Sequence, residues 1–191
     1  MRAVALALLL AAKPGWAFET DYAAVFAAHE ADVLVVSPTK RRLELPGPVI
    51  IHELRQGDGS LAFYGEDQSG LGAAGCSLRL LVDMVVLAGL CDGLINEADF
   101  LLLQSDLAEV AGFVGRNAVP PVPQAELRDR LVARLARRLA EIGEATTVCA
   151  GGVHGTQDMA EQLRALLRPA GQAAIKRVIS QPRLPVENDC N

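Results

Sequence analysis

The placement of four cysteines constrains this chain more than any other feature. Cys76, Cys91, Cys149 and Cys190 lie far apart, all well inside the chain or at its C-terminal end. Cysteines pair stably only in an oxidising compartment, and the N-terminus bears on that condition. Arg2 supplies a positive start, and Ala3 to Ala12 is an unbroken run of ten apolar residues. Lys13-Pro14-Gly15 breaks the run, and Gly15-Trp16-Ala17 puts small residues at the two positions a signal peptidase reads. A membrane-spanning helix takes roughly 20 apolar residues, so this run is too short to span. The expectation is a signal peptide over residues 1–17 and a periplasmic or secreted domain over 18–191, with no transmembrane anchor after cleavage. An even number of cysteines in an exported chain reads as two disulfides.

Helix geometry then selects the pairing. The stretch between Cys76 and Cys91 is nearly all apolar, interrupted by Arg79 and Asp83, and is expected to be a buried core helix. Its ends stand about 22 Å apart at the rise of an α-helix, whereas bonded cysteines need Cα atoms within about 7 Å. Up-and-down packing puts Cys91, after the first bundle helix, at the same end as Cys149, after the third. Cys76 lies at the other end, within reach of a tail carrying Cys190. The expected disulfides are therefore Cys91–Cys149 and Cys76–Cys190.

The pattern along the chain changes once, near residue 75. Before it, Thr20 is expected to cap a short helix from Asp21 to Glu30. Three apolar or alternating runs follow: Val33–Val36, Arg42–Leu45 and Val49–Leu54, separated by Ser37-Pro38 and Pro46-Gly47-Pro48. Gly57-Asp58-Gly59 reads as a turn that lets Ser60–Tyr64 return antiparallel. Gly65 to Gly75 reads as a Gly-rich loop. After residue 75 the pattern is helical: about 77–89, then 97–113 capped by Asn96 with Asp99 in a capping box, then 124–142. This last helix repeats Leu127, Leu131, Leu135 and Leu139, with Arg130, Arg134, Arg137 and Arg138 off the stripe. Helices over 156–168 and 172–179 and an irregular tail over 181–191 complete the chain. The fold class is α+β: an N-terminal helix and small antiparallel sheet over 18–75, followed by a bundle of four to five helices over 76–180.

Charge excludes some partners. Without residues 1–17 the domain carries 16 basic and 23 acidic residues, a net charge of −7. Binding to nucleic acid requires a concentrated positive field, so neither it nor a polybasic membrane contact is expected. The arginines off the stripe of the third bundle helix are expected to form a solvated face, and are where an acidic partner would be sought.

Motifs for chemistry are sparse. Asp92 to Phe100 resembles the second half of a calcium loop, but Ala88 and Leu90 stand where early oxygen ligands are needed; no metal is expected. Gly151-Gly152-Val153-His154-Gly155-Thr156 precedes a helix, so Gly151, Gly152, Gly155 and Thr156 are candidate anion-binding residues through free amides. It does not match a phosphate-binding loop, having no Lys at the required spacing. His52 sits in the best strand, with Glu53 on the opposite face by alternation. The three histidines show no ligand spacing, and no cofactor is expected.

Two readings of function follow. The first is an exported, non-catalytic domain that binds a protein or cell-envelope component; its mark would be an exposed apolar patch. The second is a small periplasmic hydrolase using His154 or His52 with a carboxylate such as Asp158 or Glu53; its mark would be a His–acid pair in a deep pocket.

Overall fold

The computed structural model describes Phe18, residues 20–142, Cys149, residues 156–187 and Cys190, with residues 156–159 as backbone only. The fold is α+β. Helix α1 spans Tyr22–Ala28 and a single 3-10 turn Glu30–Asp32. Four strands follow: β1 (Leu34–Ser37), β2 (Lys40–Leu45), β3 (Val49–Arg55) and β4 (Leu61–Asp67). They form an antiparallel meander in the order β1-β2-β3-β4. Five helices come next among the described residues: α2 (Ala74–Leu90), α3 (Glu97–Asn117), α4 (Gln124–Ile142), α5 (Thr156–Leu167) and α6 (Pro169–Val178). No described helix is long and apolar enough to cross a membrane.

Strand alternation divides the sheet into two faces. The inner face carries Leu43, Ile51 and Phe63, which pack on Val25 and Phe26 of α1. Phe26 meets Phe63 edge to face at 5.5 Å between ring centres. The main core lies among the helices. Leu78, Leu81, Met84 and Val85 of α2 meet Leu103, Leu107, Val110 and Val114 of α3. Leu163 of α5 and Ile175 and Val178 of α6 close it. One carboxylate is buried there: Asp106 of α3 accepts a hydrogen bond from Gln172 of α6 at 2.7 Å.

Both disulfides form as expected from the length of the helix and up-and-down packing: Cys76–Cys190 with Cα atoms 5.2 Å apart, and Cys91–Cys149 at 5.4 Å. Cys76 and Cys91 lie in the first turn and at the C-cap of α2 respectively, so the intact helix holds them apart.

Several local expectations are corrected. Asp21, not Thr20, caps α1: its carboxylate accepts from the Ala24 amide at 2.9 Å, while the Thr20 hydroxyl turns to the Pro185 carbonyl. The loop expected from Gly65 to Gly75 is shorter, because β4 continues through Asp67 and α2 begins at Ala74. Helix α3 runs to Asn117, past the expected end at residue 113, and Gly115 within this last turn lets α3 approach the next segment closely; a methyl there would lie 2.8 Å from Leu127 Cδ1. Pro169 ends α5 but also opens α6, where its missing N–H costs nothing. The Leu stripe of α4 is only partly buried: Leu127, Leu131 and Leu135 pack on the core, while Leu139 is 46% exposed.

The tail is irregular and held through Cys190, as expected, but its packing goes further: it is inserted between the sheet and the helices. Arg183, Pro185 and Val186 are buried. Val186 lies against Gly65 of β4 and Gly75 of α2, and a methyl on either glycine would collide with it. The tail therefore joins the two halves of the fold.

Candidate functional site

The outer face of the sheet, opposite α1, gathers polar groups in an unusual way. The register places Leu34, Arg42, His52 and Tyr64 side by side, one from each strand. Lys40 lies one row away on this face, and Glu44, Ile50 and Glu66 form the row on the other side. His52 is only 5% exposed and stacks on Tyr64, with ring centres 4.5 Å apart. Lys40 Nζ donates to the Tyr64 hydroxyl at 3.1 Å. His52 Nε2 lies 3.1 Å from Glu66 Oε1, but out of line for a hydrogen bond. Both ring nitrogens of His52 and Nε of Arg42 are buried without a hydrogen-bond partner. Buried nitrogens in that state are costly. Burial pushes the His52 pKa down, Lys40 and Arg42 push it further, and Glu66 works the other way.

Glu53 is not the partner of His52. It points to the inner face, where Arg41 grips it with Nε at 2.7 Å and Nη2 at 2.6 Å. That bidentate bond holds the Glu53 carboxyl below the usual carboxylate range. Arg41 also reaches Glu30 at 2.8 Å, so the group ties the sheet to the turn after α1.

Beside this face, β1 is an edge strand paired only with β2 among the described strands. Its apolar residues are exposed on both faces, Leu34 beside Arg42 on the outer face and Val35 beside Arg41 on the inner: Leu34 is 53% exposed, Val35 75% and Val36 55%. The sequence reading treated this run as ordinary strand, because a hydrophobic run does not reveal which strand lies at the edge. A register shift between Val35 and Ser37 leaves Val36 outside the ladder, and such bulges re-aim edge side chains.

The other candidates are placed as follows. His154, Gly151, Gly152 and Gly155 lie outside the described residues. Thr156 opens α5 and Asp158 lies in its first turn. Around Asp92, Gly93 makes the corner with a positive φ of 75°. Asn96 Oδ1 then accepts from the Asp99 amide at 2.9 Å, so these residues form a capped helix start. On α4, Arg134 binds Glu187 at 3.1 Å and Arg138 binds Asp83 at 2.6 Å. These two arginines brace the molecule, correcting the expectation of a purely solvated face.

Arg42, Tyr64 and Glu66 were not singled out from the sequence. The signal for them was present: a turn at Gly57-Asp58-Gly59 puts residue 64 opposite residue 52. No family model, no curated protein and no solved structure matches the chain.

Proposed function

We propose that this chain is an exported, non-catalytic binding domain that docks a protein or cell-envelope component on the outer sheet face and the β1 edge. The observation that carries this reading is the exposed run Leu34-Val35-Val36 on an edge strand. Such edges invite pairing with another chain, and folds that avoid it place Lys or Pro there. Alongside lies the row Arg42, His52 and Tyr64, whose buried unpartnered nitrogens a partner's polar groups would satisfy. Arg and Tyr beside apolar residues are also the residue types that dominate binding energy in interfaces. The two disulfides support an oxidising destination. For the hydrolase reading, the acid beside His52 is Glu66, and the pair lies on a sheet face rather than in a deep cleft of the kind that excludes water from a reaction.

The test is position-resolved photo-crosslinking in an exporting host. A photoreactive residue is placed at Val36, at Glu44 on the outer face, or at Glu97 on a remote helix. Adducts of one defined mass from Val36 and Glu44, absent from Glu97, support the reading. Equal yields from all three positions, or none, overturn it. The mass of the recovered chain reports separately whether residues 1–17 have been removed.

A further inference from the structure

The backbone of β1 shows which of its residues can pair with another strand. The Arg55 amide donates to the Thr39 carbonyl, and the Gln56 amide to the Ser60 carbonyl. Along an antiparallel ladder such bonded pairs recur at every second residue. Arg41 and Leu43 therefore turn their backbone groups to β3, and Arg42 turns its own to β1. Leu34, opposite Arg42, bonds inward to β2, so Val35 turns its N–H and C=O to the open edge. Neither face is covered there: Leu34 on the outer face and Val35 on the inner are both more than half exposed. An incoming strand can reach the Val35 backbone from the side without displacing α1.

The charges around β1 fit one strand in particular. Leu34-Val35-Val36-Ser37 carries no charge. Asp32 precedes it and is exposed. Lys40 follows it, at the start of β2 and paired with Ser37. Its ammonium rests on a neutral acceptor, the Tyr64 hydroxyl, at 3.1 Å, which a carboxylate can outbid or share. When a second copy is turned about an axis through Val35, the two Val35 residues exchange both backbone bonds as a closely spaced pair. Leu34 then faces Val36 of the other copy. Asp32 of each copy comes alongside the turn that leads to Lys40 of the other, so opposite charges meet at both ends. A copy running parallel would set Asp32 beside Asp32 instead. Reciprocal contacts of this kind are those of a two-fold dimer.

We infer that the occupant of the β1 edge is a second copy of this chain, paired antiparallel so that two four-stranded sheets become one. This rests on reading β1 as a docking edge and names what docks there. Both outer faces then lie on the same side, and the Arg42, His52 and Tyr64 rows of the two copies form one surface. The strand is short, so the dimer belongs with small, reversible interfaces.

The test is sedimentation equilibrium of the full disulfide-bonded protein from about 5 to 500 μM, where a dimer with a Kd of about 100 μM or tighter is expected. Val35→Pro removes the N–H that faces the open edge and no bond to β2, a place where a strand tolerates proline. It should weaken the dimer about tenfold or more and leave the circular dichroism spectrum unchanged. Asp32→Lys should weaken it too, and Asp32→Lys/Lys40→Asp should restore it. A chain that stays monomeric to about 500 μM, or a dimer indifferent to Val35→Pro, overturns the inference. If Val35→Pro does not fold, Asp32→Lys decides: a weaker dimer supports the pairing and an unchanged one overturns it. Photo-crosslinking from Val36 separates this inference from the docking reading beneath it. An adduct of twice the chain mass supports both. An adduct of any other mass, from a chain that is monomeric, overturns the dimer and leaves the docking edge standing. No adduct at all removes both.

Discussion

Arg183 donates from Nε to Asp67 Oδ2 at 2.6 Å across 116 positions of sequence, and both side chains are almost wholly buried, at 1% and 2% exposure. The same guanidinium also donates to the carbonyls of Gly72 and Gln181. A charge pair taken out of water is tolerated because these extra bonds satisfy it. It joins the end of β4 to the tail and so fixes how the tail enters the fold. Asp67→Ala leaves a buried guanidinium without its counter-charge and is expected to cost about 3–5 kcal/mol. Asp67→Leu combined with Arg183→Met should recover most of that loss. Urea unfolding of the two variants checks the pair. Equal losses in both would mean that the side chains matter only for their volume.

The Cys76–Cys190 bond closes a sequence separation of 114 residues and Cys91–Cys149 one of 58. In the chain-entropy model each contributes about 4 kcal/mol, and the twofold difference in loop length adds about 0.6 kcal/mol to the longer. The longer bond also anchors the buried tail, so the measured gap should exceed that increment. Cys76→Ala/Cys190→Ala is therefore expected to lower the urea midpoint more than Cys91→Ala/Cys149→Ala.

Close packing of the tail can be probed without touching charge or sulfur. A methyl at Gly75 would run into the Val186 carbonyl, which is backbone and cannot turn aside. Gly75→Ala ordinarily favours a helix by up to about 1 kcal/mol. Here it should destabilise by about 1–3 kcal/mol, the usual range for overpacking. Gly89→Ala, near the C-terminal end of the same helix with its nearest neighbour 4.0 Å away, should be neutral or stabilising. Thermal unfolding of the two variants compares them directly.

How much of this was legible in the sequence depends on the range of the interaction. The helices and strands rest on periodicity, a local quantity; the disulfide pairing rests on the rigid length of α2 together with up-and-down packing of the bundle. The Leu repeat of α4 located that helix to the residue, yet did not show that Leu139 stays exposed. The role of the tail was hidden because nothing in Arg183-Leu184-Pro185-Val186 announces burial. Its partners, Gly65, Asp67 and Gly75, lie more than a hundred positions away. The His52 row falls between these cases. Alternation placed His52 and Glu53 on opposite faces, but finding Arg42 and Tyr64 beside His52 required the register of two hairpins.

His52 makes stability depend on pH. Burial and Lys40 lower its pKa in the folded chain, while the unfolded chain keeps a value near 6.5. The unfolded state therefore binds the proton more readily as pH falls. The stabilisation is present above about pH 6.5 and is lost as pH drops toward the lower, folded-state value. Between about pH 7.5 and 5.5 the unfolding free energy should fall more steeply in the wild-type chain than in His52→Gln. Urea titrations at several pH values measure the difference. Parallel profiles would remove His52 as the source of the dependence.

The exposed edge yields the sharpest separation of function from stability. Val35 and Val36 are 75% and 55% exposed, so replacing either with Lys removes little buried area, and the unfolding midpoint should move by less than about 0.5 kcal/mol. Lys on an edge strand is also a common natural guard against pairing with another chain. If β1 is the docking edge, Val35→Lys and Val36→Lys should each abolish the partner adduct at Glu44 while leaving the fold unaltered. A buried strand would behave in the opposite way, losing stability first and binding only as a consequence. An adduct that survives both substitutions would move the contact onto the Arg42, His52 and Tyr64 row alone. Arg42→Ala, which removes one of the unpartnered buried nitrogens there, should then abolish it.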